Sequence, residues 1–223
     1  TLLGVDLIKG SLTRKFRFHR SSACSVAFSP IFDLIASVSN DRTLCLWDKR
    51  KSSPVQVHSL PIEQISVCFS NESRKLFVGG LDGSLSTFDI DLQRIVSSLP
   101  IHQDVLSNIE NIEGGKDRLL TTSLDSSCKE VERGSVLKEY KGFQGGFGCG
   151  VVRGRTWGNG KLVACGGKDL VTIWDGATTD AVLRMGGHKG TVTDLSFSKG
   201  GELLSGASDG SVYLTRLPSE LLL

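Results

Sequence analysis

One hairpin pattern recurs along the chain at nearly constant spacing, and this recurrence restricts the possible folds more than any other feature. The pattern is complete at 34–48, where strand-forming residues at 34–38 and 43–47 flank a turn at 39–42. The turn contains Asn and Asp, whose side chains bond nearby backbone groups and therefore favour turns. The same pattern returns at 76–89, 119–132, 162–175 and 203–216.

The acidic residue of each turn sets the period of the repeat. The turn aspartates lie about 40 to 45 residues apart, at Asp41, Asp82, Asp125, Asp169 and Asp209. Two copies close with a literal Trp-Asp pair, at 47–48 and 174–175. A repeat of this length with four strands per unit is typical of β-propellers, and the chain resembles the WD40-repeat family. The resemblance implies an all-β fold, a WD40 β-propeller.

The repeat divides the chain into blades of a single domain, 1–223. We expect about five and a quarter blades, with N-terminal blades missing before Thr1 and seven blades in the complete ring, because an open ring leaves strand edges unpaired. Residues 218–223 are expected to add a short outer strand. The expected blades are a partial one at 1–16, full ones at 17–60, 61–100, 101–141 and 142–186, and a final one at 187–223.

The charges of the chain are nearly balanced, with 26 basic and 24 acidic residues and a net charge of +2. This balance argues against binding nucleic acid through its phosphate backbone. No run of 18 apolar residues is present, so no membrane span is expected. The six cysteines lack a Cys-x-x-Cys pair, which favours small buried side chains in a reducing compartment. A disulfide framework or a zinc site is the alternative.

In WD40 repeats, a His before the first strand, a Ser or Thr on the second, the turn Asp and a third-strand Trp form a buried hydrogen-bond network. A buried carboxylate needs such donors. The resemblance implies this structural role for His19, Asp41, Trp47, Asp82, His102, Asp125, Asp169, Trp174, His188 and Asp209. Because the same residue types recur in successive blades, we expect no catalytic Ser-His-Asp set, and hence no enzyme activity, cofactor or metal.

Residues that precede the turn aspartates are candidates for partner binding, since they are expected near one face of the propeller. They are Asn40, Leu81, Leu124, Lys168 and Ser208. Two of them are leucines, which suggests an apolar contact patch. The Gly-rich stretch 142–160 indicates a divergent first strand followed by a turn. The alternative is a surface on which Arg153, Arg155 and Trp157 contact a partner, because Arg and Trp are favoured anchors.

The sequence Trp-Asp-Lys-Arg at 47–50 resembles a motif with which some WD40 proteins dock to the adaptor of the cullin-4 ubiquitin ligase. Arg50 would then contact the adaptor. The alternative interpretation is a strand end followed by a solvated basic turn.

The order of irregular repeats resembles the family of WD-repeat subunits of the U5 small nuclear ribonucleoprotein. The repeat at 65–89 lacks a preceding Gly-His pair, and the segment 182–217 loses the last Trp, as in that family. The strand at 127–132 departs from the pattern because it lacks a Trp-Asp pair. The resemblance implies a non-catalytic splicing scaffold in the nucleus. It would bind U5 proteins, chiefly the large core scaffold protein, with little RNA contact and no small-molecule substrate. A ubiquitin-ligase substrate receptor, or a scaffold of another complex, is the alternative.

Overall fold

The computed structural model describes residues 1–145 and 151–222, and within them it contains 21 strands and one short helix. The strands form six antiparallel sheets, numbered here in chain order. Sheet 1 contains β1 (Leu2–Asp6) and β2 (Ser11–Phe16). Sheet 2 contains β3 (Ala23–Phe28), β4 (Leu34–Ser39), β5 (Thr43–Asp48) and β6 (Pro54–Ser59). Sheet 3 contains β7 (Gln64–Phe69), β8 (Lys75–Gly80), β9 (Ser84–Asp89) and β10 (Arg94–Pro100).

The remaining three sheets follow the same order of strands. Sheet 4 contains β11 (Leu106–Asn111), β12 (Arg118–Ser123), β13 (Ser127–Glu132) and β14 (Ser135–Lys141). Sheet 5 contains β15 (Gly154–Trp157), β16 (Leu162–Gly166), β17 (Leu170–Asp175) and β18 (Ala181–Gly186). Sheet 6 contains β19 (Val192–Phe197), β20 (Glu202–Ala207) and β21 (Val212–Arg216). The all-β prediction is therefore confirmed.

Within each sheet the strands pair in sequence order, and the first strands of sheets 2 to 6 contact one another in succession. Side chains of these first strands bridge neighbouring sheets. Ser107 Oγ, for example, donates to the Val152 carbonyl at 2.6 Å, and Asn108 Nδ2 donates to the Gly154 carbonyl at 3.0 Å. The first strands of sheets 2 to 4 and residues 151–155 line a shared cavity of about 570 Å³. This successive arrangement matches the blades of a propeller.

The core lies between the sheets, because the second and third strands of sheets 2 to 5 are largely buried on both faces. Strand β4 is buried at five of its six positions, whereas the outer strand β6 alternates between half-buried and exposed positions. Each junction between sheets therefore has its own apolar cluster. Leu44 and Leu46 of sheet 2, for instance, pack with Val67 and Phe88 of sheet 3.

A ring on the third strand of one sheet contacts a residue on the last strand of the preceding sheet. We call the third-strand residue the ring position and its neighbour the wall position. The ring centroids of Trp47 and Phe16 lie 5.5 Å apart, and those of Phe88 and His58 lie 4.7 Å apart. Trp174 and Tyr140 occupy the same two places, with centroids 6.0 Å apart. These pairs bury large apolar areas where the sheets meet.

At two places on the second strands, the neighbouring sheet leaves little room for a Cβ atom. Gly79 and Gly166 occupy the same place in their sheets. A Cβ atom at Gly79 would lie 2.5 Å from Leu106 Cδ2, and one at Gly166 would lie 2.3 Å from the Val192 carbonyl oxygen. Gly206 holds this place in sheet 6, where a Cβ atom would meet no atom within 4 Å.

The expected outer strand at 218–223 is wrong, because residues Ser219–Leu222 form a single helical turn, α1. Pro218 precedes it, and its carbonyl accepts a hydrogen bond from Leu221 N at 3.0 Å. The helical turn lets Leu221 and Leu222 pack together against the cluster between sheets 5 and 6, which alternating strand positions would not allow. Within the described residues, no helix has the length and apolar character needed to cross a membrane.

Replacing Gly166 with Ala is expected to lower the free energy of unfolding by about 1–3 kcal/mol, the usual cost of overpacking. The added methyl group would force β19 away from β16, because it would stand 2.3 Å from the Val192 carbonyl oxygen. Equilibrium urea unfolding followed by tryptophan fluorescence measures the change.

Gly206→Ala is the matched control, since it adds the same group at the same place in a sheet without a close neighbour. We expect its free energy of unfolding to stay within about 0.5 kcal/mol of the wild type. Equal losses in the two variants would contradict a role for close sheet approach at Gly166.

Candidate functional site: the turn edge of the sheets

The turns between second and third strands lie at one edge of the sheets, which we call the turn edge. Four residues at these turns donate a backbone hydrogen bond to a residue before or at the start of the first strand in the same sheet. The distances are 3.1 Å for Asn40 N to Ser22 O, Leu81 N to Glu63 O and Leu124 N to Val105 O, and 2.8 Å for Ser208 N to Thr191 O. These bonds fix the turn tips relative to the sheets.

In sheet 2 a hydrogen-bond network lies directly below the turn. His19 Nε2 is 2.7 Å from Ser37 Oγ, and the Trp47 indole N–H donates to the same hydroxyl at 2.8 Å. The other ring nitrogen, His19 Nδ1, lies 2.9 Å from Thr43 Oγ1 and 3.3 Å from Asp41 Oδ2. The imidazole therefore connects β4 and β5 with the turn between them.

Asp41 is held as a carboxylate by the groups around it. Burial raises its pKa, but hydrogen bonds from the Thr43 hydroxyl and the Arg20 amide, together with the neighbouring His19 ring, lower the pKa to about 2. The Arg20 amide donates to Oδ2 at 2.8 Å, and the Thr43 hydroxyl donates to Oδ1 at 2.5 Å. Donors to the charged form outweigh the cost of desolvation.

The same arrangement recurs in sheet 4. His102 Nδ1 lies 3.0 Å from Asp125 Oδ2 and 3.1 Å from Ser127 Oγ, while Nε2 lies 2.9 Å from Thr121 Oγ1. Burial lowers the pKa of His102, and the adjacent Asp125 opposes this shift. Burial also raises the pKa of Asp125, but the Ser127 hydroxyl and the Gln103 amide outweigh it, so the net shift is downward.

Sheet 6 has a shorter version of the network. His188 Nδ1 lies 2.5 Å from Ser211 Oγ, and Nε2 lies 2.8 Å from Ser205 Oγ. Asp209 accepts hydrogen bonds from the Ser211 hydroxyl and amide and from the Lys189 amide, which lower its pKa to about 2. Tyr213, whose ring centroid lies 4.4 Å from that of His188, covers the imidazole.

Sheets 3 and 5 depart from this arrangement in different ways. In sheet 3, Leu60 holds the place of the histidine: its amide donates to the Arg42 carbonyl, as the His102 amide donates to the Gly83 carbonyl one sheet later. Asp82 is exposed and accepts a hydrogen bond from the Ser84 amide at 3.0 Å.

In sheet 5 the structure does not place Asp169 in a network, contrary to the expectation. Four residues separate Gly166 from its partner Val171, whereas five separate Val38 from Leu44 in sheet 2. The turn is therefore one residue shorter than the turn of sheet 2. Asp169 consequently cannot take the position that Asp41 has in its own turn. Asp169 is exposed, and within the described chain it forms no hydrogen bond or ion pair. Trp174 remains buried, and its indole N–H donates to the Lys141 carbonyl at 3.1 Å.

The candidate partner-binding residues of the turn edge differ in exposure. Asn40, Lys168 and Ser208 are exposed, and the Leu81 side chain is 41% exposed. Leu124 differs from the expectation: it is only partly exposed, because it packs against the cluster between sheets 4 and 5. The apolar patch expected from two leucines is thus reduced to Leu81.

The three candidates in the Gly-rich stretch are engaged within the molecule. Arg153 Nη1 lies 2.6 Å from Asp194 Oδ2, and Arg155 Nη2 lies 3.0 Å from Asp194 Oδ1. The Trp157 indole N–H donates to the Ser198 carbonyl at 3.2 Å. These contacts join sheet 5 to sheet 6, so the side chains are not free anchors for a partner. Residues 146–150 of this stretch lie outside the described residues.

Sequence reasoning missed two groups of residues, one at this edge and one near the opposite end of a first strand. The first is the hydroxyl two places after the turn aspartate, at Thr43, Ser127 and Ser211; the recurring Asp-x-Ser or Asp-x-Thr spacing would have revealed it. The second is Glu110 on β11, whose pKa burial raises to about 7 while Arg155 opposes the shift. No local signal marks it, because its neighbours come from other sheets.

The remaining candidates are the cysteines and the side chains that could bind a metal ion. Cys45, Cys128 and Cys165 are buried, and these and the half-buried Cys24 and Cys68 are free thiols. Among residues 1–145 and 151–222, no group of three or more His, Cys, Asp or Glu side chains is placed to hold a metal ion.

Replacing Asp125 with Ala is expected to lower the free energy of unfolding by about 1–3 kcal/mol, because the Gln103 amide and the His102 ring would lose a charged acceptor. Asp169→Ala is the matched control and is expected to stay within about 0.5 kcal/mol of the wild type. Equilibrium urea unfolding measures the free energy of unfolding of both variants. An equal loss in the two variants would contradict the claim that Asp125 is held by hydrogen bonds and Asp169 is not.

Asp41→Asn is expected to change the acid sensitivity of the protein. The pKa of Asp41 is lower in the folded protein than in an unfolded chain, so its stabilising contribution is present above about pH 4 and is lost as pH falls towards about 2. The difference in free energy of unfolding between wild type and variant should therefore shrink over this range. A difference that stays constant with pH would contradict a lowered pKa of Asp41 in the folded protein.

The chain is similar in sequence to known proteins. The family model for the WD domain, G-beta repeat, matches residues 10–48 and 180–215. The chain is 30% identical over 222 residues to the U5 small nuclear ribonucleoprotein 40 kDa protein of Dictyostelium discoideum, which covers 94% of this chain and 61% of that protein. It is 24% identical to the pre-mRNA-splicing factor cwf17 of Schizosaccharomyces pombe, over 97% of this chain and 66% of that protein.

The chain is also similar to a protein whose name does not refer to splicing. It is 25% identical to the guanine nucleotide-binding protein subunit beta of Solanum tuberosum, over 88% of this chain and 56% of that protein. The chain therefore spans less than two thirds of each of these relatives. The family match and the successive antiparallel sheets agree with each other. The chain carries WD40 repeats and folds into the sheets of a WD40 β-propeller.

Proposed function

We propose that this chain belongs to a non-catalytic protein-interaction scaffold of the U5 small nuclear ribonucleoprotein, acting in pre-mRNA splicing in the nucleus. The observation that carries the proposal is the extent of similarity: 94% of the chain aligns with the U5 protein of D. discoideum and 97% with a splicing factor of S. pombe. Similarity to the G protein subunit supports the fold alone, so the splicing role rests on the two splicing relatives together.

The hydrogen bonds that hold three of the histidines within their own sheets support a scaffold. His19, His102 and His188 each contact hydroxyl groups of their own sheet. The repetition of this arrangement supports a structural purpose, since a catalytic site needs a singular convergence of groups on one substrate.

The turn edge supports a binding role. Its tips are fixed by backbone hydrogen bonds, and the exposed side chains at Asn40, Leu81 and Ser208 differ from sheet to sheet. Rigid tips lose little conformational entropy on association, so they favour specific binding. We propose this edge as the surface for a U5 protein, chiefly the large core scaffold protein.

The charge distribution favours protein partners over RNA. The net charge is only +2, and two arginines near the central cavity, Arg153 and Arg155, already pair with Asp194. Binding through phosphates would instead call for a cluster of unpaired cations.

The ligase alternative gains no support from the structure. The guanidinium of Arg50 turns back onto Asp48, with hydrogen bonds of 3.0 Å from Nε and 2.8 Å from Nη2. Neither splicing relative is named as a ligase component.

The proposal is tested by tagging the endogenous protein at its chromosomal locus and measuring U5 small nuclear RNA recovered with it from nuclear extract. Wild-type protein should enrich the U5 RNA and U5 proteins. Leu81→Glu should lower this recovery several-fold, because it places a charge on the apolar tip of the turn edge. Wild-type protein that recovers no U5 RNA would contradict the splicing proposal.

Leu92→Glu is the matched control. Leu92 is 57% exposed and lies in the same sheet, in the turn between β9 and β10 at the opposite edge. Its recovery of U5 RNA should equal that of the wild type. Loss with Leu92→Glu but not with Leu81→Glu would move the binding surface away from the turn edge.

A further inference from the structure

The junction between sheets 3 and 4 lacks the pair of rings found at three other junctions. Ring positions are occupied by Trp47, Phe88 and Trp174 in sheets 2, 3 and 5. In sheet 4 the register places Val131 there, since it pairs with Leu119 as Trp47 pairs with Ile35.

The wall position of this junction is aliphatic as well. Leu99 pairs with Leu85 in sheet 3, as Tyr140 pairs with Cys128 in sheet 4. Neither Leu99 nor Val131 can fill the volume that two aromatic rings fill elsewhere, and a cavity of about 360 Å³ lies between them. This volume is in the lower part of the range of ligand pockets, about 300–1,000 Å³. We call it the junction pocket.

The floor of the junction pocket is apolar. It is formed by side chains from both sheets: Phe77, Leu85, Leu99, Leu119 and Val131. Such a floor favours a flat apolar group, which would replace the missing ring-to-wall contact with its own burial.

A tight turn stands at the mouth of the pocket. Arg133 and Gly134 connect β13 to β14 in two residues with φ angles of 50° and 82°. A Cβ atom at Gly134 would lie 2.6 Å from Leu99 Cδ1, so the turn rests directly against the wall position. The longer connection in sheet 2, residues 49–53, has no counterpart here, and the exposed Arg133 lines the opening.

The rim of the pocket carries a net positive charge. Lys75, Arg133 and Asp117 line it, and Asp117 already accepts a hydrogen bond from the Ser70 hydroxyl at 2.5 Å. Within the described residues, neither Lys75 nor Arg133 forms an ion pair through its side chain. Two cations are thus free to meet a carboxylate above an apolar floor.

We propose that the junction pocket binds an aromatic side chain of a partner protein, in a segment that places a carboxylate beside that ring. The ring occupies the space that a third-strand Trp fills in sheets 2 and 5, and the carboxylate lies between Lys75 and Arg133. The biological role of this contact rests on the proposed scaffold function. The contact adds one chemical feature that a partner of the scaffold should have.

The test uses purified protein and two probes: N-acetyl-tryptophan, with an indole ring beside a carboxylate, and its uncharged amide, N-acetyl-tryptophanamide. Methyl NMR should show shifts at Val131, Leu99 and Leu119 on addition of the acid, and none at Val163 in the junction between sheets 4 and 5. The acid should bind several-fold more tightly than the amide. Absence of shifts at the pocket, or equal binding of the two probes, would overturn the proposal.

Two substitutions sharpen the test. Val131→Trp should fill the pocket, with its indole N–H directed at Thr121 as that of Trp47 is at Ser37; it should raise the melting temperature and abolish probe binding. Arg133→Glu should keep the fold and weaken binding of the acid several-fold without changing that of the amide. Unchanged binding in a folded Val131→Trp protein, or in Arg133→Glu, would contradict the proposal. Because only the free probes are used, failure here is distinct from failure to recover U5 RNA.

Discussion

The fold depends on the packing of each sheet against the next. A single sheet such as sheet 2 cannot bury its second and third strands alone, since both of their faces carry mostly apolar side chains. The next sheet covers one face and the preceding sheet covers the other. The contact between Trp47 and Phe16 shows the result, because it closes the junction with a ring from each sheet. In sheets 2, 4 and 6, hydrogen-bond networks around a histidine also hold the turn against its own sheet.

Much of the fold could be predicted from the sequence because the repeat carries redundant information. The turn aspartates and the strand-forming runs on either side of them have the same period, so an error in one signal is corrected by the other. Strand β13 forms although it contains Lys129 and Glu130, because Glu130 is paired with Arg118 at 2.6 Å and Lys129 donates to the Ile101 carbonyl. The spacing of the repeat predicted this strand correctly, whereas its local composition would not have predicted a buried strand.

The details that could not be predicted depend on single residues or on contacts between distant parts of the chain. Asp169 has the expected residue type, but a turn shortened by one residue leaves it exposed. Arg153 and Arg155 resemble free anchors until the structure brings Asp194, on another sheet, within 3.0 Å of both. For the candidate site, the sequence located the turn edge, but the exposure of each tip depends on tertiary packing, as the half-buried Leu124 shows. On a scaffold of repeated sheets, we therefore expect binding sites where the residues of one sheet differ from those of the other sheets.

A double-mutant cycle on Trp47 and Phe16 tests most directly whether ring contacts between sheets hold this structure together. The free energy of unfolding would be measured for the wild type, Trp47→Leu, Phe16→Leu and the double variant. We expect each single variant to be destabilised and the double variant to be less destabilised than the sum, with a coupling of at least about 0.5 kcal/mol. Additive effects, with no coupling between the two rings, would contradict the account.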